Sequence, residues 1–151
     1  MNPFRRGLVA AILLLGLTLP AHAQRGPVAA ALLQYEAAVT WEAVTPDWRR
    51  IRPGWLQQVG SASTAGQVSA LMMQLEAAIT WEAVQRSWRG RRAGWVAEAQ
   101  SARSPGEVAR LLLELEAVTL WSAVDGSWRN TRPGWVAELS AVAGRAGRST
   151  K

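Results

Sequence analysis

Cysteine is absent from the 151 residues, which excludes disulfides, zinc knuckles and thiol nucleophiles. Histidine occurs once, as His22, and lysine once, as the terminal Lys151. His22 falls in a segment expected to be removed, which leaves no histidine for a catalytic triad, and the sequence holds no phosphate-cradling glycine loop and no metal-ligand spacing. Catalytic residues, metal and cofactor are therefore all expected to be none. Charged residues make up only 19% of the chain against 49% hydrophobic, so enough apolar surface is available to bury a core and global disorder is excluded.

What is present begins with a targeting pattern. Residues 1–23 join a basic start (Arg5, Arg6), an apolar run from Leu8 to Leu19, Pro20, and the small-residue ending Ala21-His22-Ala23. This is the layout of a secretory signal peptide cleaved before Gln24, and the apolar run is short for a membrane span. Cleavage would leave 128 residues carrying a net charge of +4. No second apolar stretch follows, so an exported product in a periplasm or beyond, with no transmembrane segment after cleavage, is the expectation. Arginine supplies 16 of the 17 cations in an alanine-rich chain, which lets codon bias account for part of the high pI. Residues 144–151 read as a basic flexible tail.

The rest is one unit written three times. A shift of 40 superposes Trp41, Trp81 and Trp121, then Trp48, Trp88 and Trp128, then Trp55, Trp95 and Trp135, which accounts for all nine tryptophans. The same shift aligns Glu36 with Glu76 and Glu116, Arg49 with Arg89 and Arg129, and Arg52 with Arg92 and Arg132. A period of this length in Ala-, Leu- and Glu-rich segments belongs to helical repeats rather than propeller blades. The fold expected is all-α: three tandem helical hairpins (24–64, 65–104, 105–143) forming a short α-solenoid or a compact bundle.

Within each copy, a first helix is expected over Val28–Val44, Val68–Val84 and Val108–Val124. Capping boxes open it at Thr64-Ala65-Gly66-Gln67 and Ser104-Pro105-Gly106-Glu107. Thr45-Pro46-Asp47 and Asp125-Gly126-Ser127 are turn compositions. A second helix carries the Trp-Arg-x-x-Arg-x-Gly-Trp element to about Ala62, Ala102 and Val142, with Pro53 and Pro133 expected to kink it or to mark its first turn.

Helical projection puts Glu36 among apolar neighbours on the first helix and Arg52 inside the Trp48, Trp55, Val59 stripe of the second. Two misplaced charges answer each other best, because a lone buried carboxylate costs several kcal/mol whereas a bidentate guanidinium satisfies both oxygens. Structural ion pairs are expected between Glu36 and Arg52, Glu76 and Arg92, and Glu116 and Arg132; the alternative is that these glutamates are ligand-binding acids. The tryptophans are expected to be packing residues first. Trp41, Trp81 and Trp121, however, point away from the main apolar face, so they either cover the neighbouring copy, which is the leading expectation, or stand exposed beside Arg49, Arg89 and Arg129 as a candidate interaction surface.

The run Gly54-Trp55-Leu56, Ser61, Thr64, Gln67-Val68, Leu75-Glu76, Ile79-Thr80-Trp81-Glu82 resembles the WSD motif, also called D-TOX E or the third WHIM motif, of accessory subunits of ISWI-type chromatin remodellers. The similarity recurs at Gly94-Trp95-Val96, Ser104, Glu107-Val108, Leu115-Glu116 and Trp121. The resemblance implies a helical interaction unit and adds no catalytic residue. An export signal, the lack of zinc-finger cysteines and the tandem arrangement set this chain apart from a nuclear role.

Three functional classes follow. The first is a non-catalytic exported helical-repeat protein serving as a protein-interaction or scaffold module, its partner another envelope or extracellular protein. The second is weak polyanion binding, to nucleic acid or acidic glycan, through the Arg49, Arg50, Arg52 and Arg89, Arg91, Arg92 clusters. The third is a small glycan hydrolase using two carboxylates, disfavoured because repetition predicts three equal sites rather than one asymmetric acid and base pair.

Overall fold

The computed structural model describes residues 26–146; the expected signal peptide and the last five residues of the expected tail lie outside them. Six α-helices and three 3-10 turns alternate: α1 (Pro27–Ala38), α2 (Trp48–Ser61), α3 (Ala65–Ala78), α4 (Trp88–Ser101), α5 (Pro105–Val118) and α6 (Trp128–Ala146), with the turns at Trp41–Ala43, Trp81–Ala83 and Trp121–Ala123. The all-α repeat architecture is as the periodicity predicts. α6 runs to Ala146, three residues into the segment read as a tail.

The first helix of each copy ends six residues earlier than expected. It ends at Ala38, Ala78 or Val118 because the next residue (Val39, Ile79 or Thr119) takes an extended conformation. Those residues are β-branched, and their backbone has a better use than another helical turn. Val44 bridges Ile79, Val84 bridges Thr119, and Val124 returns to bridge Val39. Each bridge is flanked by the same pair of amide bonds: Thr45 N–H donates to the Ala78 carbonyl and Thr80 N–H to that of Ala43, with Asp125 to Ala38 and Thr40 to Ala123 as the counterparts at the closing seam.

These contacts settle the choice left open between solenoid and bundle. An open array has two free ends, whereas here copy three docks on copy one as copy one docks on copy two. α1, α3 and α5 pack against one another as an inner triplet, and each outer helix lies between its own inner helix and the next, α6 lying between α5 and α1. Trp55 Nε1 donates to the Leu71 carbonyl at 2.9 Å, Trp95 to Leu111 at 3.0 Å, and Trp135 across the closing seam to Ala31 at 2.9 Å. The result is a closed ring with pseudo-threefold symmetry. Ala43, Ala83 and Ala123 cluster at the end formed by the 3-10 turns, where only a small side chain lets three backbones converge.

Capping explains the starts of α3 and α5. Thr64 Oγ1 accepts from Gln67 N–H while the Gln67 side chain accepts from Thr64 N–H, a complete box. At α5 the box is half formed: Ser104 Oγ accepts from Glu107 N–H, but Glu107 turns to Arg103 N–H instead. Pro53 and Pro133 neither begin nor end a helix; α2 and α6 start five residues earlier, at Trp48 and Trp128, and run through them at exposed positions.

Candidate functional site: an indole rim around the ring axis

Charge is placed by the outer helices. Trp48, Trp55 and Val59 of α2 face the core and are almost fully buried, which forces Arg52, one turn after Trp48, toward α1. There it meets Glu36, only 5% exposed: Arg52 Nε donates to Oε1 at 2.6 Å and Nη2 to Oε2 at 3.0 Å, and Trp48 Nε1 adds a third bond at 3.2 Å. Copy two repeats the set, with Arg92 donating to Glu76 at 2.6 and 2.8 Å and Trp88 at 3.2 Å. In copy three Arg132 reaches Oε1 of Glu116 at 2.6 Å and Trp128 at 3.4 Å, while Oε2 is left without a partner among the described residues. The hydrogen bond to glutamate is the main cause that raises the pKa of Arg52, Arg92 and Arg132. With their oxygens so engaged, Glu36 and Glu76 have little left to offer a ligand.

The structure corrects the leading expectation for Trp41. Trp41, Trp81 and Trp121 do not cover the neighbouring copy; they stand 45%, 45% and 48% exposed. The inter-copy face they were expected to supply is made by the bridged backbone and by Trp55, Trp95 and Trp135. Each rim indole instead lies under a guanidinium. Arg49 sits 4.7 Å from the Trp41 ring centroid, Arg89 5.1 Å from Trp81 and Arg129 4.4 Å from Trp121, with Arg52 and Arg132 farther out at 5.9 and 6.0 Å. Since Trp41 is two residues from Ala43 on the axis, the three indoles ring one end of the molecule.

Cavities flank the indoles. One of about 280 Å³ lies between Trp41, Ala37, Glu36 and Arg52, and its counterpart of about 230 Å³ between Trp81, Ala77, Glu76 and Arg92. On its other side Trp81 borders a notch of about 470 Å³ with Arg86, Arg89 and Leu120 of the next copy.

The basic clusters read from the sequence are largely spent. Besides the three pairs above, Arg91 is held by Glu98 and Glu114, Arg110 by Glu98, and Arg50 lies near Asp47. No carboxylate among the described residues is within ion-pair reach of Arg49, Arg89 or Arg129. These three, each against its own indole, are the unpaired cations that recur in every copy, and Arg86 beside Trp81 is a further one in copy two. The perturbed carboxylates both shift downward: Glu98 through hydrogen bonds from Arg110 and then Arg91, Asp125 through the Ser127 amide and then its hydroxyl. That direction is opposite to what a general acid needs. Among the described residues no cluster of His, Asp or Glu suited to a metal ion occurs, and no helix is long and apolar enough to cross a membrane.

One determinant lies outside the sequence reading. Tyr35, fully buried in the leucine position of the other copies, meets Thr119 Oγ1 at 2.6 Å. Thr119 already donates to the Leu115 carbonyl at 2.8 Å, so the phenol is the donor across the closing seam. The only signal was that Tyr35 and Thr119 both depart from the repeat.

Comparison with known families gives one match, to a family described as Domain of unknown function (DUF8799), over residues 28–80 and again over 66–120. Each stretch is longer than one repeat and takes in the first helix of the following copy, thereby including both helices that seat Trp55 or Trp95. No curated protein and no solved structure matches the chain.

Proposed function

This chain belongs to the DUF8799 family, and from the geometry of its rim we propose that it is a non-catalytic, exported interaction or scaffold module that offers one contact element three times around an axis. The single observation that carries this reading is the identity of the exposed rim across copies. Core positions must repeat because the seams are equivalent, but a half-exposed surface has no such obligation. Around the indoles the surface has in fact diverged: positions 42, 82 and 122 hold Glu, Glu and Ser, and positions 46, 86 and 126 hold Pro, Arg and Gly. Trp41 and Arg49 nonetheless keep their identity in every copy. Of the large apolar side chains exposed among the described residues, only Ile51 lies outside this set.

Tryptophan and arginine are the side chains that contribute most at binding surfaces, because each combines a wide contact area with directed polar groups. Part of the indole has a structural use, since it shields the neighbouring guanidinium, a contact worth about 0.5–1 kcal/mol at an exposed site. The remaining half faces water. The resemblance to the WSD motif supports a helical interaction unit and nothing nuclear. Export rests on the leader pattern, and the secreted chain is expected to begin at Gln24.

The test is capture from an envelope extract by the mature chain, beside the variant Trp41→Ala/Trp81→Ala/Trp121→Ala. The variant is expected to keep its helical circular dichroism, because the three indoles lie outside the buried core, and to lose its partners. Retention of every partner by the folded variant removes the rim as the contact surface.

A further inference from the structure

The geometry points to a ligand class for this rim: each indole with its uncommitted guanidinium is a subsite for one sugar ring bearing a carboxylate, so the molecule grips an acidic glycan at three equivalent points. The inference rests on the rim being the contact surface and adds what it contacts.

Size limits the ligand first. The cavities of about 280 and 230 Å³ beside Trp41 and Trp81 are lined by the paired Arg52 and Arg92, whereas the notch that Trp81 shares with Arg89 is about 470 Å³, in the lower part of the ~300–1,000 Å³ range of small-ligand pockets. A notch of that size admits a sugar ring against the indole. Chemistry narrows it further. An exposed indole offers a flat apolar platform with a polar edge, which suits the C–H face of a pyranose. Beside it Arg49, Arg89 or Arg129 presents a planar fork of donors that no protein carboxylate occupies, and such a fork matches a carboxylate with two parallel hydrogen bonds. A neutral sugar would leave that cation unanswered. Glu36 and Glu76 do not compete, since Arg52 and Arg92 already hold them.

Nucleic acid fits less well. Single strands are bound in a continuous positive groove that follows the phosphates. The rim has instead separated cations, Arg49, Arg89 with Arg86, and Arg129, interrupted by exposed Glu42, Glu82, Asp47 and Asp125, while Arg52, Arg91 and Arg92 are paired with glutamates. A glycan carrying its charge on discrete rings can be held at discrete points. Three weak subsites on one rigid ring then act together, and repetition of this kind raises affinity by about 10²–10⁴ over one subsite.

The experiment uses the mature chain and follows the indole N–H resonances of its nine tryptophans, assigned by single Trp→Phe variants, during titration with galacturonic acid, an oligogalacturonate, its methyl ester and an oligothymidylate at one salt concentration. The Trp41, Trp81 and Trp121 signals are expected to move with the acidic oligomer while the buried six stay in place. The methyl ester and the monomer should each bind at least about tenfold more weakly, as should Arg49→Gln/Arg89→Gln/Arg129→Gln with unchanged circular dichroism. No movement at millimolar oligogalacturonate, or tighter binding of oligothymidylate, overturns the glycan assignment. If the indole variant still loses its envelope partners in that case, the rim survives as a contact surface and only the ligand class is wrong. If it keeps them, both fail.

Discussion

Tyr35 shows how much one departure from a repeat can specify. The closing seam is the one seam without a covalent connection between its copies, and it alone carries a phenol where the other inner helices have Leu75 and Leu115. The side chain also packs on Trp135, with ring centroids 6.1 Å apart, so the pin joins α1 to both helices of copy three. Burial is the main cause that raises the phenol pKa above its usual value near 10, ahead of the opposing bond to Thr119 and the nearby charges of Glu116 and Glu76. The sign follows: below pH 10 neither state ionises and the contribution is intact, whereas above it the unfolded chain loses a proton that the folded chain keeps, so stability falls by about 1.4 kcal/mol per pH unit until the folded value is reached. Tyr35→Phe is expected to cost roughly 0.5–1.5 kcal/mol at pH 7 through the lost hydrogen bond, yet to flatten the decline between pH 10 and 11. Denaturant titrations at pH 7, 10 and 11 check both arms. Because Tyr35 is the sole tyrosine, its phenolate absorbance gives a second reading, and ionisation near pH 10 in a chain with native circular dichroism would contradict its burial.

At the scale of the element, what could be read in advance followed from side-chain periodicity, and what could not followed from contacts between copies. The pairing of Glu36 with Arg52 was legible because helical projection places each charge on an apolar stripe, and a buried charge without a partner is costly. The ends of α1, α3 and α5 were not. Val39 continues the helical pattern perfectly well, and only the partner strand segment at Val124 makes an extended backbone the better choice. Trp41 was misplaced for the same reason, since a helix continuing to Val44 would have turned it toward the neighbouring copy. The outer helices carry a feature of their own: Gly54 and Gly134 sit in helical interiors, exposed, with no atom within 4 Å of an added Cβ. Packing does not require glycine at either position, and glycine costs a helix interior about 0.5–1 kcal/mol relative to alanine. Gly54→Ala and Gly134→Ala are each expected to raise stability by about that amount, read as a higher denaturation midpoint at unchanged slope. Destabilisation by either change would mean that the helix needs glycine for its path.

At the scale of the whole molecule, closure governs how the fold responds to loss of a part. A linear array sheds stability in rough proportion to the units removed, because each contacts only its neighbours. Removal of copy three from this ring strips α1 of the helix that donates Trp135 to Ala31 and strips α4 of α5, so two seams open at once. A chain ending at residue 103 is therefore expected to lose cooperative thermal unfolding as a monomer, where a solenoid of the same units would retain a lower but sharp transition. Calorimetry with sedimentation on the truncated chain separates the two. The bridge from Val124 back to Val39 has a further meaning, since the angle between successive units is set to a third of a turn. Unit number is thus dictated by geometry rather than by chain length. Chains carrying a single unit would complete the circle by trimerising, and one polypeptide with three units is that trimer made permanent, its stoichiometry independent of concentration and each face free to diverge on its own.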